Sequence, residues 1–195
     1  MEIHFRGKTV VITGAAGGLG SAMAERFAKQ GAGVVLCDYS ECVTEKAEAL
    51  RKQGLSAVGI AFDVTDRKAV EEAMQKIKDR FGVIDVLVNN AGINVGPEQR
   101  RTVENFSDEW WDKIQAVDLK GVYHCSKAAI PLMNPEGASI VNISSIVGIV
   151  PLRNQCSFAA AKAGVIQLSK AMALELAEKK IRVNVVAPGT VGIAI

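Results

Sequence analysis

The chain contains few of the residue types that metal centres, disulfide scaffolds and membrane spans require. It has two histidines, and its four cysteines form no Cys-x-x-Cys pair (Cys37, Cys42, Cys125 and Cys156). No apolar stretch reaches the roughly 18 residues of a membrane-spanning helix, and no signal-peptide pattern precedes the first apolar run. We therefore expect no metal site, no membrane partner, and a cytoplasmic protein whose cysteines are reduced.

The chain also lacks an excess of charge of either sign. It has 23 basic and 21 acidic side chains, a net charge of +2, and no dense run of lysine and arginine. Nucleic-acid binding and attachment to an anionic membrane surface usually require a concentrated basic patch. Neither kind of partner is therefore expected.

Length and apolar content favour one folded domain. The 195 residues are 49% apolar, which is sufficient for a substantial core, and no composition shift marks a boundary, so residues 1–195 are taken as a single domain. Short β-branched runs alternate with longer segments of helical period. The predicted strands are 9–13, 34–37, 57–62, 86–89, 139–144 and 183–186, and the predicted helices are 19–30, 41–53, 66–81, 107–133 and 157–179.

This alternation predicts the fold class. Near-continuous apolar strands separated by helices are typical of a parallel sheet that is covered on both faces, because each crossover places a helix on the sheet. We therefore predict an α/β protein with a doubly wound parallel sheet, the Rossmann fold.

A glycine-rich segment follows the first predicted strand and leads into the first helix. A phosphate-binding turn needs glycine for the bend, for close approach of the backbone to a pyrophosphate and for helix packing, and the helix N-terminus adds N–H groups that favour an anion. A tight turn without a ligand is the alternative. The candidate cofactor residues are Gly14, Gly17, Gly18, Leu19 and Gly20.

Asp38 favours the dinucleotide interpretation of this turn. It ends the second predicted strand, about 20 residues after the glycines, where a carboxylate can accept hydrogen bonds from the adenosine ribose. Because Ala15, Ala16 and Tyr39 offer no cation to a 2′-phosphate, we predict NAD rather than NADP. A solvated turn aspartate is the alternative.

Further motifs occur in the order known from one enzyme family. Asp63-Val64 follows the third predicted strand, and Asn89-Asn90-Ala91-Gly92 and Pro188-Gly189 follow the fourth and sixth. With the glycine turn, these motifs resemble the short-chain dehydrogenase/reductase family from residue 8 to about residue 190. The resemblance implies cofactor contacts from Asp63, Val64, Asn90, Ala91, Gly92, Pro188 and Gly189.

The resemblance also implies catalytic positions, and three of them depart from the family pattern. Ser145 would steady the substrate oxygen, and Lys162 would bind the nicotinamide ribose and lower the pKa of a catalytic tyrosine. Phe158 occupies the tyrosine position, and its ring carries no titratable group. Asp118 replaces the family's asparagine, and Ile193 replaces a threonine that follows Pro-Gly. All three departures lie on the nicotinamide side.

The sequence therefore predicts an NAD(H)-dependent oxidoreductase that interconverts a secondary alcohol and a ketone, with proton transfer impaired at Phe158. A catalytically silent NAD-binding protein that acts through association is a second hypothesis, and a phenylalanine introduced to trap a complex is a third. The resemblance further implies a homo-oligomer, a dimer or tetramer. Family members usually continue beyond the position of Ile195 with a substrate-covering segment and a seventh strand, so a C-terminally short chain without that last strand is expected.

Overall fold

A computed structural model describes residues 4–192 of the chain. This part contains six β-strands: β1 (Thr9–Thr13), β2 (Gly33–Asp38), β3 (Ala57–Ala61), β4 (Val86–Asn89), β5 (Ala138–Ile143) and β6 (Ile181–Val186). It also contains six α-helices: α1 (Gly18–Lys29), α2 (Cys42–Lys52), α3 (Arg67–Phe81), α4 (Asp108–Ile114), α5 (Gly121–Ala129) and α6 (Cys156–Glu175). Short 3₁₀ turns occupy Pro97–Gln99, Val103–Asn105, Ile130–Leu132, Ile146–Gly148 and Ala177–Lys179.

The six strands form one parallel sheet in the order β3-β2-β1-β4-β5-β6. β1 pairs with β2 on one side and with β4 on the other, so the chain reverses its winding direction next to β1. In open α/β sheets, ligands bind at such a reversal, outside the carboxyl ends of the strands. The predicted Rossmann-like α/β fold is confirmed.

Side chains that alternate along the strands supply an apolar core on each face of the sheet. In β1, Val10 and Ile12 belong to the cluster covered by α1 and α2, whereas Val11 belongs to the cluster covered by α3, α5 and α6. Every residue of β1 is buried. The central strand is therefore held from both faces, and the turn that follows it has a rigid support.

The prediction of one continuous helix over residues 107–133 is wrong, because the structure divides this segment into several elements. α4 is followed by a π-helical turn, Gln115–Lys120, then by α5 and by a 3₁₀ turn that contains Pro131. Proline lacks the N–H that would continue the helix, which accounts for the C-terminal break. The π turn carries Asp118, which is fully buried, and single π turns within helices are frequent at functional sites.

Candidate active site

A cleft of about 1120 Å³ opens at the carboxyl ends of the central strands. Its walls come from the glycine turn, the end of β2, the end of β3 and the loop after β4, together with Trp110, Lys113, Ala116 and Val117 from the α4 region. The structure thereby brings together most of the predicted cofactor residues: Gly14, Gly17, Gly18, Leu19, Gly20, Asp38, Asp63, Val64, Asn90, Ala91 and Gly92.

The glycine turn is pressed against the loop that follows β4. Gly14 has a φ of +64°, and a Cβ built there would lie 2.8 Å from the Cα of Ala91. The side-chain amide of Asn90 donates to the carbonyls of Thr13 and Gly14, both at 3.0 Å. The two loops are therefore fixed relative to each other, and only glycine suits position 14.

Asp38 connects the end of β2 to the glycine turn. Its Oδ2 accepts a hydrogen bond from the Ala16 N–H at 2.9 Å, and its Oδ1 accepts one from the Ser40 N–H at 3.1 Å. The residue is buried, yet it lines the cleft. Because each carboxylate oxygen accepts more than one hydrogen bond, Asp38 retains acceptor capacity toward the cleft.

Asp63 and Val64 form the rim of the cleft beyond β3. Asp63 is exposed, and its Oδ1 accepts a hydrogen bond from the Thr65 N–H at 2.8 Å. Val64 is buried, and its carbonyl lies 3.1 Å from Nδ1 of His124 on α5. This part of the cleft therefore combines an apolar wall with one acidic side chain.

Ser145 lies in the turn after β5 and is half-buried. Its hydroxyl oxygen accepts a hydrogen bond from the Val147 N–H at 3.2 Å, and the Ile146 N–H donates to the carbonyl of Pro188 at 2.9 Å. The predicted Pro188-Gly189 segment is therefore held beside the Ser145 turn. The preceding residue, Ser144, donates to the Lys162 carbonyl at 2.7 Å and fixes this turn to α6.

Lys162 of α6 forms a buried charge pair with Asp118. The Lys162 Nζ lies 2.9 Å from Oδ2 of Asp118, and the two side chains are 6% and 0% exposed. Nζ also donates to the carbonyl of Ile143 at 3.2 Å. Gly92 borders this pair, since a Cβ there would lie 2.9 Å from Asp118 Oδ2 and 3.2 Å from Lys162 Nζ. The cleft therefore adjoins the pair through a position without a side chain.

The charge state of Asp118 reflects two opposing influences. Burial raises the pKa of Asp118, whereas the Lys162 charge and the Ile93 N–H, which donates to Oδ1 at 2.8 Å, lower it. Burial prevails, and this pKa lies above the ordinary carboxyl value. Removal of water favours the neutral acid, and the neighbouring ammonium partly opposes that preference.

Phe158 adjoins the same pair. Its half-buried side chain packs against the buried cluster of Val95, Ile114 and Ala161, and the Lys162 Nζ lies 5.5 Å from the centre of its ring. The ring can attract the ammonium weakly through its π electrons, but it can neither donate nor accept a proton. Ile193, the third predicted departure, lies outside the described residues.

Two amide contacts near the site were not predicted from the sequence. The Asn94 amide donates to Oε1 of Gln155 at 3.0 Å and joins the loop after β4 to the start of α6. Gln115 donates to the carbonyl and the hydroxyl oxygen of the buried Ser157. Both partners of each contact are ordinary polar residues far apart in the chain, so no local sequence signal identifies them.

The cysteines near the cleft are suited to packing rather than to nucleophilic chemistry. Burial raises the pKa of the Cys37 thiol well above its usual value, with smaller contributions from Cys125 and Asp38. Burial also raises the pKa of Cys125 to about 12. Because the thiolate is the reactive form, both side chains remain unreactive thiols at neutral pH.

Residues 4–192 contain neither a metal-binding cluster nor a helix suited to crossing a bilayer. In this part of the chain, no group of three or more histidine, cysteine, aspartate or glutamate side chains is arranged to hold a metal ion. None of its helices combines the length and the apolar character that crossing a bilayer requires.

Comparison with known proteins identifies related chains. Residues 8–194 match a family model described as short chain dehydrogenase. The chain is 43% identical to the uncharacterized oxidoreductase YxbG of Bacillus subtilis (strain 168), over 94% of this chain and 67% of that protein. It is 41% identical to the 3-oxoacyl-[acyl-carrier-protein] reductase FabG of Thermotoga maritima, over 96% and 75% of the two chains. A crystal structure of NAD⁺-bound xylitol dehydrogenase superposes with a TM-score of 0.90 at 31% identity, covering 97% of this chain and 73% of that one.

Proposed function

Because the chain belongs to the short-chain dehydrogenase family, we propose that it binds NAD(H) and interconverts a secondary alcohol and a ketone, with proton transfer impaired at Phe158. The observation that carries the proposal is the cleft at the reversal point of the sheet, which is lined by the glycine turn and Asp38 and adjoins Lys162 at Gly92. The names of the oxidoreductase relatives support the reaction class.

The residues of the cleft fit a dinucleotide. The turn at Gly14 leaves no room for a side chain against Ala91, and Asp38 has acceptor capacity for the adenosine ribose. A carboxylate at that position repels a 2′-phosphate. Within the described residues, Lys113 is the lysine that lines the cleft. Its ammonium is paired with Glu109 at 3.1 Å, so its charge is already partly neutralised toward a 2′-phosphate. These contacts favour NAD over NADP, and the NAD⁺-bound structural relative is consistent with that choice.

When bound, the nicotinamide supplies or accepts the hydride. In the proposed arrangement, Ser145 orients the substrate oxygen, and Lys162 binds the nicotinamide ribose. Phe158 cannot exchange a proton with that oxygen. A positioned acid or base usually contributes about 10²–10⁴-fold to a rate, so its loss is expected to reduce turnover far more than cofactor binding.

A silent NAD-binding protein is the second candidate function. The observation that favours it is the pairing of Lys162 with Asp118. This pair is a second difference from the family's catalytic site, in addition to the missing hydroxyl at Phe158. Under this alternative, cofactor binding persists and turnover cannot be restored by one substitution.

One experiment separates these functions. NADH binding is measured by fluorescence titration, and a panel of secondary alcohols and ketones is assayed with the native chain and with Phe158→Tyr. The proposed enzyme binds NADH in both forms, and Phe158→Tyr raises the steady-state rate by at least about tenfold. Binding without any gain in rate favours the silent protein. Absence of NADH binding contradicts both candidates.

The proposed protein assembles as a homo-oligomer. Trp111 on α4, Tyr123 on α5 and Leu174 on α6 leave large apolar surface exposed in the single chain. Large apolar side chains that are exposed on the helices of a single chain are candidates for subunit contacts. Light scattering coupled to gel filtration tests this proposal, and a monomer at all accessible concentrations would contradict it.

A further inference from the structure

The ammonium of Lys162 is already engaged by two groups of the protein itself. It faces the carbonyl of Ile143 at 3.2 Å and Oδ2 of Asp118 at 2.9 Å. An ammonium has three donor hydrogens. Only part of its donor capacity therefore remains for a ribose that enters from the Gly92 side.

Asp118 cannot follow the lysine toward the cleft. Its Oδ1 is fixed by the Ile93 N–H at 2.8 Å, and its side chain is fully buried in the π turn. The same carboxylate also depends on Lys162, because Oδ2 receives no aligned hydrogen bond from the residues described. The nearby ammonium charge compensates Oδ2 despite the poor alignment of that contact. Drawing Lys162 away would leave a buried carboxylate oxygen without compensation, which is energetically costly.

We infer that Asp118 is a positioning residue that retains the Lys162 ammonium in a buried ion pair and thereby weakens the hold of Lys162 on the nicotinamide ribose. This inference rests on the proposed function, because it concerns the same NAD(H) site. It concerns only the nicotinamide half of the cofactor, since the adenosine half is held by the glycine turn and Asp38. Asp118 thus acts on affinity through Lys162 without touching the cofactor.

Asparagine at position 118 provides the matched test. Its amide oxygen can keep the hydrogen bond from the Ile93 N–H, and this orientation turns the amide NH₂ toward Lys162. Two donors do not attract each other, so the ammonium is released toward the cleft. Asp118→Asn is expected to bind NADH about fivefold more tightly, which corresponds to about 1 kcal/mol.

The experiment compares two ligands in four proteins. NADH and ADP are titrated into the native chain, Asp118→Asn, Lys162→Met and the double variant. ADP contains the adenosine diphosphate portion but no nicotinamide ribose, so its affinity reports on folding and on the adenosine side. We expect Asp118→Asn to tighten NADH binding without changing ADP binding. The gain should vanish when Lys162 is already methionine.

The opposite results would overturn the inference. Unchanged or weaker NADH binding in Asp118→Asn, with ADP binding intact, would show that the ion pair does not restrain Lys162. An equal gain in the Lys162→Met background would show that Asp118 acts through another group. Failure of the proposed function looks different, because the native chain would then not bind NADH at all.

The dependence on pH gives a second readout that a purely structural role would not produce. Among the described residues, Lys162 is the charged group that acts on Asp118, while the Ile93 N–H acts through its hydrogen bond. Burial keeps the pKa of Asp118 above its ordinary value, so the carboxylate takes up a proton at a higher pH than an ordinary aspartate does. The affinity of the native chain for NAD⁺, measured by calorimetry and divided by that of Asp118→Asn at the same pH, should therefore rise as the pH falls. A ratio that does not change with pH would contradict the inference.

Discussion

The ammonium of Lys162 lies 2.9 Å from the carboxylate of Asp118, and both side chains are shielded from water. Removing one partner of such a pair leaves an uncompensated buried charge, which typically costs about 3–5 kcal/mol. We therefore expect Lys162→Met to lower the free energy of unfolding by about 3 kcal/mol at neutral pH. Adding Asp118→Asn should restore part of this loss, because the second substitution removes the remaining charge.

Urea denaturation of the two single variants and the double variant measures this coupling. Since burial raises the pKa of Asp118, the Lys162→Met defect should also shrink in acid, where the carboxyl becomes neutral. A double variant whose loss of stability equals the sum of the two single losses would indicate that the pair is not coupled energetically.

Asp38 should determine both the affinity for NADH and the discrimination against NADPH. Asp38→Ala removes a carboxylate acceptor at the cleft, and NADH is expected to bind about tenfold more weakly, because hydrogen bonds to charged groups contribute about 1.5–3 kcal/mol. The affinity ratio of NADH to NADPH should fall. Fluorescence titration with both cofactors measures the change.

Asp66 supplies a matched control for Asp38. It too accepts two backbone N–H bonds, from Lys68 and Ala69, but it does so as the N-cap of α3, on the exposed surface. Asp66→Ala should cost about 1 kcal/mol of stability and leave the NADH affinity unchanged. Equal losses of affinity in the two variants would mean that Asp38 acts only by holding the backbone.

Gly14→Ala should be more destabilising than the same change at Gly54. Both glycines have positive φ angles, +64° and +78°, so alanine is strained at either position by about 1–2 kcal/mol. At Gly54 nothing lies within 4 Å of the added methyl group, whereas at Gly14 it overlaps the backbone of Ala91. Thermal or urea unfolding should therefore show an additional loss of about 1–3 kcal/mol at Gly14. Equal losses would contradict the close approach of the two loops.

Asp85 should contribute stability that is lost in acid. Burial by itself raises the pKa of Asp85, but hydrogen bonds from Asn134, Thr9 and Lys8 outweigh it, and this pKa lies below the ordinary value. The unfolded chain therefore binds the proton more readily, so stability rises with pH across the interval between the two pKa values. The contribution is complete above the ordinary aspartate pKa of about 3.9 and disappears as the pH falls through the depressed value.

Asp85→Asn tests this prediction. The variant should be less stable than the native chain near neutral pH, and the difference should narrow as the pH falls below about 4. Unfolding by urea at a series of pH values measures it. A difference that stays constant with pH would show that ionisation of Asp85 does not contribute.

The parts of the site that the sequence predicts best are local in the chain. The six predicted strands agree with those observed to within about two residues at each end, because apolar runs and the glycines between them act over short distances. The turn at Gly14 and the carboxylate of Asp38 are also predictable from local sequence, since each is specified by its place at the end of a strand. Both line the cleft.

Contacts between distant segments could not be predicted in the same way. Asp118 and Lys162 are separated by the whole of α5 and β5, and composition cannot reveal that they form an ion pair. The π turn over residues 115–120 has no sequence signal either, because its residues are compatible with a regular helix. Pro188 was expected among the cofactor residues, and the structure places its carbonyl against the Ser145 turn.

The order of the strands has a consequence for how the protein is made. The side chain of Thr13 on β1 accepts a hydrogen bond from the Asn90 N–H, 77 positions further along the chain. A chain emerging from the ribosome can therefore form the first three strands, but β1 keeps an open edge until β4 has been synthesised. Joining such distant segments is entropically slow, so a nascent chain passes through a period in which the apolar strand β1 must be protected from pairing with the wrong neighbour.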